Sequence, residues 1–330
     1  MLKVIDQEAG RLSRRACLGA GLAWLGALTA CSTVSQVGQS AAPATPTATA
    51  VPTAPAPAVV QRTRAPRIGL ALGGGAARGF AHVGVIQVLE QNGIVPDLVV
   101  GTSAGSLVAA LYASGKNPRE LEQAALRMDE ATITDWTLPL FNRGVLRGDA
   151  LARYVNQQVQ GRQIQDLKRP LGIVATDLAN GQGMLFQRGD TGTAVRASSA
   201  VPGVFSPVAI AGREYVDGGL VAPVPVLQAR QMGAELIIAV NISSPPDGNT
   251  TTDAFKVLMQ TFDIMGQSIN RHLLAEADVV IKPELKGVGS ADFGARQRSI
   301  VAGREAMQAA LPRLRERLQA KRQPVGPAGA

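Results

Sequence analysis

Cysteine is nearly absent. The 330 residues hold two, Cys17 and Cys31, both in the first tenth of the chain, so no disulfide framework and no cysteine zinc site can be built in the rest. Histidine is equally scarce, and His82 and His272 are the whole supply of imidazole for acid–base chemistry. Aromatic residues make up 4%, and the basic residues are scattered singly with no block of five or more like charges. That pattern excludes a dedicated nucleic-acid surface with stacking platforms, and no nucleic-acid partner is expected despite a formal charge of +8. No residues group as a metal-ligand cluster, and neither a metal nor any other cofactor is expected. What the chain does have is aliphatic residues and glycine: 46% hydrophobic and 36 glycines, ample for a large buried core.

The N-terminus reads as an address. Arg11, Arg14 and Arg15 precede the uncharged stretch Ala16 to Ala30, which is shorter than the roughly 20 residues of a bilayer span. A charged n-region, a short apolar h-region and small residues before a cut form a secretory signal, assigned here to residues 1–30. "LTAC", ending at Cys31, resembles the lipobox of bacterial lipoproteins, and the resemblance implies that Cys31 is an acylated first residue and a membrane anchor; the alternative is an ordinary signal whose cysteine is incidental. "SRRACL" resembles a twin-arginine export signal more loosely. The expected place is the bacterial cell envelope, periplasm-facing, with Ser32 favouring the outer over the inner membrane. Residues 31–66, rich in Ala, Pro and Thr, form a semi-rigid solvated tether, because proline lacks an N–H donor and favours extended backbone. A folded body over 67–320 and a disordered tail over 321–330 complete the organisation.

In the body, continuous apolar runs alternate with helical patterns. "RIGLALG" (67–73), Asp97–Val100, "LGIVATD" (171–177), "ELIIAVNI" (235–242) and "ADVVIKP" (277–283) read as strands covered on both faces, hence an α/β fold with a mostly parallel sheet. Helices are expected over Ala76–Asn92, Ser103–Ser114, Arg119–Met128 and Arg296–Gln319, the last kinked or interrupted by Pro312. "WTLPLF", Trp136–Phe141, suits either an interfacial lid or a core loop.

Two glycine clusters sit at strand-to-helix junctions. "GTSAG", Gly101 to Gly105, matches G-x-S-x-G, in which a serine on a sharp turn exposes its hydroxyl at the sheet's carboxyl edge. Ser103 is then a candidate nucleophile, and the Ala104 N–H at a helix N-terminus faces a developing oxyanion. "GGGAARG", Gly73 to Gly79, admits a dinucleotide reading, but Asp97 begins the next strand where a ribose-binding carboxylate should end it. The competing use is an oxyanion loop, with Arg78 adding positive charge. A serine hydroxyl needs a base. The order Ser103, Asp217, His272 fits a triad, although His272 reads as mid-helix. Asp217, in "YVDGGLVAPVP", is followed by Gly218 and Gly219, which suits either an unshielded carboxylate or a plain turn.

Taken in order, "GGGAARG", "GTSAG" and "DGG" resemble the three blocks of the patatin-like phospholipase family. "ATDLANG" (175–181) and "ASSAVPGVFSPV" (197–208) are similar to further segments of its bacterial members, so the resemblance covers about 67–283. It implies a three-layer α/β/α fold and a Ser103/Asp217 dyad without histidine. It further implies an oxyanion hole from Gly74, Gly75 and the Arg78 region, and phospholipid or another acyl-ester lipid as substrate. The activity implied is a carboxylic ester hydrolase of phospholipase A or lysophospholipase type. Acyl transfer or thioester cleavage at the same site, and a non-catalytic membrane-tethered binding role, remain as alternatives, and no oligomeric state follows.

Overall fold

The short apolar runs become the strands of one central sheet. In chain order the strands are β1 (Thr63–Arg64), β2 (Ile68–Leu72), β3 (Leu98–Thr102), β4 (Gly144–Leu146), β5 (Leu171–Asp177), β6 (Gly183–Phe186), β7 (Gly203–Phe205), β8 (Val208–Ile210), β9 (Arg213–Asp217), β10 (Leu236–Val240), β11 (Val279–Ile281) and β12 (Gln323–Pro324). The helices are α1 (Phe80–Gln91), α2 (Ala104–Ala113), α3 (Pro118–Arg127), α4 (Asp149–Gln158), α5 (Thr191–Ser198), α6 (Val226–Gln231), α7 (Ala254–Leu273) and α8 (Arg296–Ala320). This computed structural model describes residues 63–128, 135, 144–243, 254–289 and 291–324. All of them fall in one compact unit, Val59–Ala330. The signal, Cys31, the tether before residue 63, the Trp136–Phe141 segment and the tail beyond 324 lie outside the described residues.

The sheet order is β11-β10-β2-β3-β5-β9-β8, with β6 also paired to β5. The run from β11 to β5 is parallel, while β9, β8 and β6 attach antiparallel. Side chains alternate between the two faces of the strands, as a period of two requires. Leu70, Leu72, Ile238 and Val240 join α1, α2 and α8 in one core, whereas Ala71, Val100, Ile237 and Ala239 join α6 in another. The result is a three-layer α/β/α fold with a mostly parallel sheet.

Two boundaries move. The last residues of the expected tether and the first of the expected tail are part of the body, because Thr63–Arg64 pairs antiparallel with Gln323–Pro324. Arg64 adds two guanidinium contacts to Glu235, at 2.7 and 2.6 Å. Pro312 does not end the last helix, which runs through it from Arg296 to Ala320. Its missing N–H removes one i→i−4 bond, while Ile300, Met307 and Leu314 keep the helix packed on the core. Among the described residues no helix is long and apolar enough to cross a membrane.

Register brings the functional residues together. β2 and β3 are parallel neighbours, with Leu72 opposite Gly101, so both glycine clusters emerge at the same carboxyl edge. Thr102 of β3 lies opposite Val174 of β5, and on the other side of β5 Ala175 lies opposite Asp217. The residue after Thr102 and the last residue of β9 are therefore about two strand spacings apart, ~10 Å, within reach of two inward-leaning side chains.

Candidate active site

Ser103 connects β3 directly to α2. Its backbone sits at φ 52°, ψ −124°, outside the regions a residue with a Cβ prefers, and such strain costs of order 1–3 kcal/mol. The flanking glycines make the bend possible. A Cβ at Gly101 would lie 2.4 Å from the Gly105 carbonyl oxygen, and one at Gly105 would lie 2.1 Å from that of Leu72. Backbone and side chain then lock the turn: Ser106 donates to the Ser103 carbonyl through its N–H at 2.8 Å and its Oγ at 2.6 Å. The Ser103 N–H donates to Ser198 Oγ at 2.8 Å, and that hydroxyl donates to the Val174 carbonyl at 2.5 Å.

The Ser103 hydroxyl donates to Asp217 Oδ2 at 2.7 Å. The other carboxylate oxygen accepts the Gly219 N–H at 2.6 Å, so the "DGG" turn aims the acid. Gly218 admits this turn against the Val174 carbonyl, where a Cβ would come within 2.2 Å. Thr176 Oγ1 donates to the Asp217 carbonyl at 2.8 Å, fixing the end of β9 to β5. Only 5% of Asp217 is exposed. Burial pushes its pKa up to about 6, against the hydrogen bonds from Gly219 and Ser103, which pull it down. A base in that range is ionised at neutral pH yet strong enough to draw on a serine proton.

The expected oxyanion donors divide. Gly74 is not available: its N–H donates to the Pro223 carbonyl at 2.9 Å, which ties the glycine loop to the "VAPVP" segment. The Gly73 N–H is likewise engaged, by Val240. Among the described residues no acceptor takes the N–H of Gly75 or of Ala104, and Ala104 opens α2, where the helix N-terminus favours negative charge. Gly79 lets the loop close on the elbow, since a Cβ there would lie 2.9 Å from that of Ala104. Arg78 acts through position. It is 6% exposed, and both its N–H (3.1 Å) and its Nε (3.2 Å) donate to the Gly75 carbonyl. Burial lowers its pKa and the Asp263 carboxylate opposes that shift.

Neither histidine completes a triad. His82 is fully buried with Nε2 2.8 Å from the Gly73 carbonyl, and burial brings its pKa down to about 4, so it is a neutral donor holding the loop. His272 is exposed in the last turn of α7, and both Asp217 oxygens are occupied by Gly219 and Ser103. The dinucleotide reading fails on position. Asp97 Oδ2 accepts the Ile68 N–H at 2.6 Å, at the amino end of β2, opposite the glycine loop. Among the described residues no group of three or more His, Cys, Asp or Glu is placed to hold a metal.

A cavity of about 340 Å³ opens at Ser103 and Ala104 and is walled almost entirely by carbon: Phe80, Leu111, Leu151, Val201, Phe205 and Phe293. Sequence reasoning assigned no role to Ser198 or Thr176. Ser198 sits in "ASSAVPGVFSPV", a segment singled out for resemblance, yet nothing local marks its hydroxyl as the acceptor for the elbow N–H.

Similarity to known proteins fits this geometry. A family model described as patatin-like phospholipase matches residues 70–230. An uncharacterised NTE family protein of Mycobacterium tuberculosis is 38% identical over 197 residues, covering 59% of this chain and 54% of the relative. Patatin-like phospholipase domain-containing protein 6 of Mus musculus is 34% identical over 193 residues, 56% of this chain and 14% of that one. The chain thus spans about half or less of these relatives' length. Among solved structures, VipD from Legionella pneumophila superimposes with a TM-score of 0.51 at 16% identity, covering 78% of this chain and 68% of that one, a likeness of fold.

Proposed function

The chain is a member of the patatin-like phospholipase family, and from that premise we propose that it is a serine acyl hydrolase cleaving lipid acyl esters, of phospholipase A or lysophospholipase type, through Ser103 and Asp217. The observation that carries this reading is the 2.7 Å hydrogen bond from Ser103 Oγ to Asp217 at the mouth of an apolar cavity. The acyl chain lies in the cavity with its ester carbonyl at Ser103. As Oγ bonds to the carbonyl carbon, its proton passes to Asp217, and the oxyanion meets the N–H groups of Gly75 and Ala104. Collapse breaks the ester C–O bond, and Asp217 returns the proton to the departing alcohol. Water then gives a proton to Asp217 and its oxygen to the acyl carbon. The fatty acid leaves, and Asp217 restores the proton to Ser103.

Purified protein is expected to release fatty acid from phospholipid and to hydrolyse p-nitrophenyl esters, and a chain that does neither overturns the reading. The pH dependence is specific. Only ionised Asp217 accepts the proton, so kcat/KM rises as pH increases through about 6 and is level above it. Rates measured between about pH 4 and about pH 8 decide this, and a profile that is flat or falls with rising pH removes Asp217 as base.

Cys31 remains the proposed anchor, holding the body at an envelope membrane through the proline-rich tether. Labelled palmitate is expected on the wild-type chain in a bacterial host and not on Cys31→Ala; label on the variant removes the anchor.

A further inference from the structure

α7 is amphipathic in the wrong sense for a helix that ends at a surface of water. Of the eight large apolar residues exposed among the described residues, four lie on it: Val257 (47%), Leu258 (37%), Ile264 (52%) and Met265 (46%). Their spacing gathers them on one side of the helix, with Thr261 between them. The Thr261 hydroxyl donates to the Val257 carbonyl at 2.8 Å, so the stripe carries no unsatisfied donor there. Arg271 and His272 are exposed where the stripe ends.

The opposite side of the same helix belongs to the active site. Met259 lines the acyl cavity beside Phe293 and Phe205. Leu258, at the edge of the stripe, would lie 3.0 Å from a Cβ placed on Gly203, next to the cavity residues Val204 and Phe205. Asp263, one turn further along, is the carboxylate that acts on Arg78, which in turn holds the Gly75 carbonyl. One helix therefore presents apolar side chains outward and seals the acyl cavity inward.

We propose that the outward stripe of α7 is the surface on which the catalytic body meets an anionic phospholipid bilayer, with Ile264 and Met265 inserted among the acyl chains and Arg271 at the level of the phosphates. Two observations select a bilayer as the occupant. Met259, the chain neighbour of Leu258 in the stripe, lines the apolar cavity that opens at Ser103, so the stripe adjoins the wall of the site its substrate enters. Residues 63–330 also carry 28 Lys and Arg against 23 Asp and Glu, a formal +5, which complements an anionic headgroup layer. This rests on the acyl-hydrolase reading of the cavity and adds to it the face by which substrate arrives.

The test uses residues 31–330 carrying Cys31→Ala, the chain left once the proposed signal is removed, which has neither a thiol nor an acyl anchor. A polarity-sensitive fluorophore attached at Ile264→Cys is expected to shift to the blue on vesicles of mixed phosphatidylglycerol and phosphatidylcholine. The same label at Val95→Cys, an exposed apolar position at the other end of the strands, stays unchanged. In the same background, Ile264→Glu with Met265→Glu lowers the vesicle-bound fraction at least about tenfold, because two large apolar side chains no longer leave water. Hydrolysis of vesicle lipid falls with it, while hydrolysis of a soluble p-nitrophenyl ester is unchanged. An unshifted label at 264, full vesicle binding by the double variant, or a stripe label that responds only to self-association without vesicles overturns the proposal. If the chain hydrolyses no ester at all, the hydrolase reading fails while the label still decides the docking face.

Discussion

Ser103→Ala lowers kcat/KM for a p-nitrophenyl ester by about 10⁴-fold or more, and Asp217→Asn by a comparable factor, because nucleophile and base act as one unit. His272→Ala, exposed in the last turn of α7 while both Asp217 oxygens bond Ser103 and Gly219, leaves the rate essentially intact. The two inactive variants separate on stability. Asp217 titrates near 6 in the folded chain, above the ordinary carboxylate value near 3.9 of the unfolded one. Between those values the folded state holds the extra proton, so the native chain loses stability as pH rises through the window. Above it the whole cost of the buried charge is present, about 3 kcal/mol.

Asparagine keeps an oxygen for the Gly219 N–H and sheds the charge. Asp217→Asn is therefore expected to be dead and more stable than wild type by about 1–3 kcal/mol at about pH 8, with the gain vanishing near about pH 4. Denaturant titrations at the two pH values measure it. An Asp217→Asn chain that is active, or less stable at the higher pH, contradicts the assignment of a desolvated base.

The glycine blocks were legible because their chemistry is local. A helix that begins directly on the last residue of a strand leaves no room for a Cβ at Gly101 or Gly105, and that demand is written two residues either side of Ser103. The strands were legible for a related reason, since β2, β3, β5 and β10 are buried on both faces and must be apolar without interruption. What failed was whatever depends on a distant partner. Nothing near Gly74 announces that Pro223 takes its N–H, so an equal claim for Gly74 and Gly75 as donors was the best local reading. The same applies to Ser198, one serine among many until Ser103 is placed against it, and to His82, whose burial makes it a neutral clamp and no acid–base group. The ladder between Thr63–Arg64 and Gln323–Pro324 is two residues long, too short for any periodicity, and it closes through chain ends that composition marks as tether and tail.

Gly105→Ala is expected to lower both stability and rate although it removes no functional group. The added methyl would stand 2.1 Å from the Leu72 carbonyl oxygen and 2.6 Å from its carbon. Both are backbone atoms of a strand fully buried in the sheet, so no rotamer relieves the contact, and the first turn of α2 must move outward by about an ångström. Overpacking of that kind costs about 1–3 kcal/mol, occasionally more. The same movement carries Ser103 from Asp217 and the Ala104 N–H from the oxyanion position, and misplacement on that scale lowers the rate by about 10²-fold. Gly181→Ala is the matched control. Gly181 has φ +71° with open space around it, so a methyl there strains its own backbone and touches nothing. That variant should lose about 1 kcal/mol and no activity. Should Gly105→Ala keep wild-type kcat/KM, the close fit of elbow to strand is not what holds Ser103 in place, and the strained backbone at Ser103 must be maintained by Ser106 and Ser198 alone.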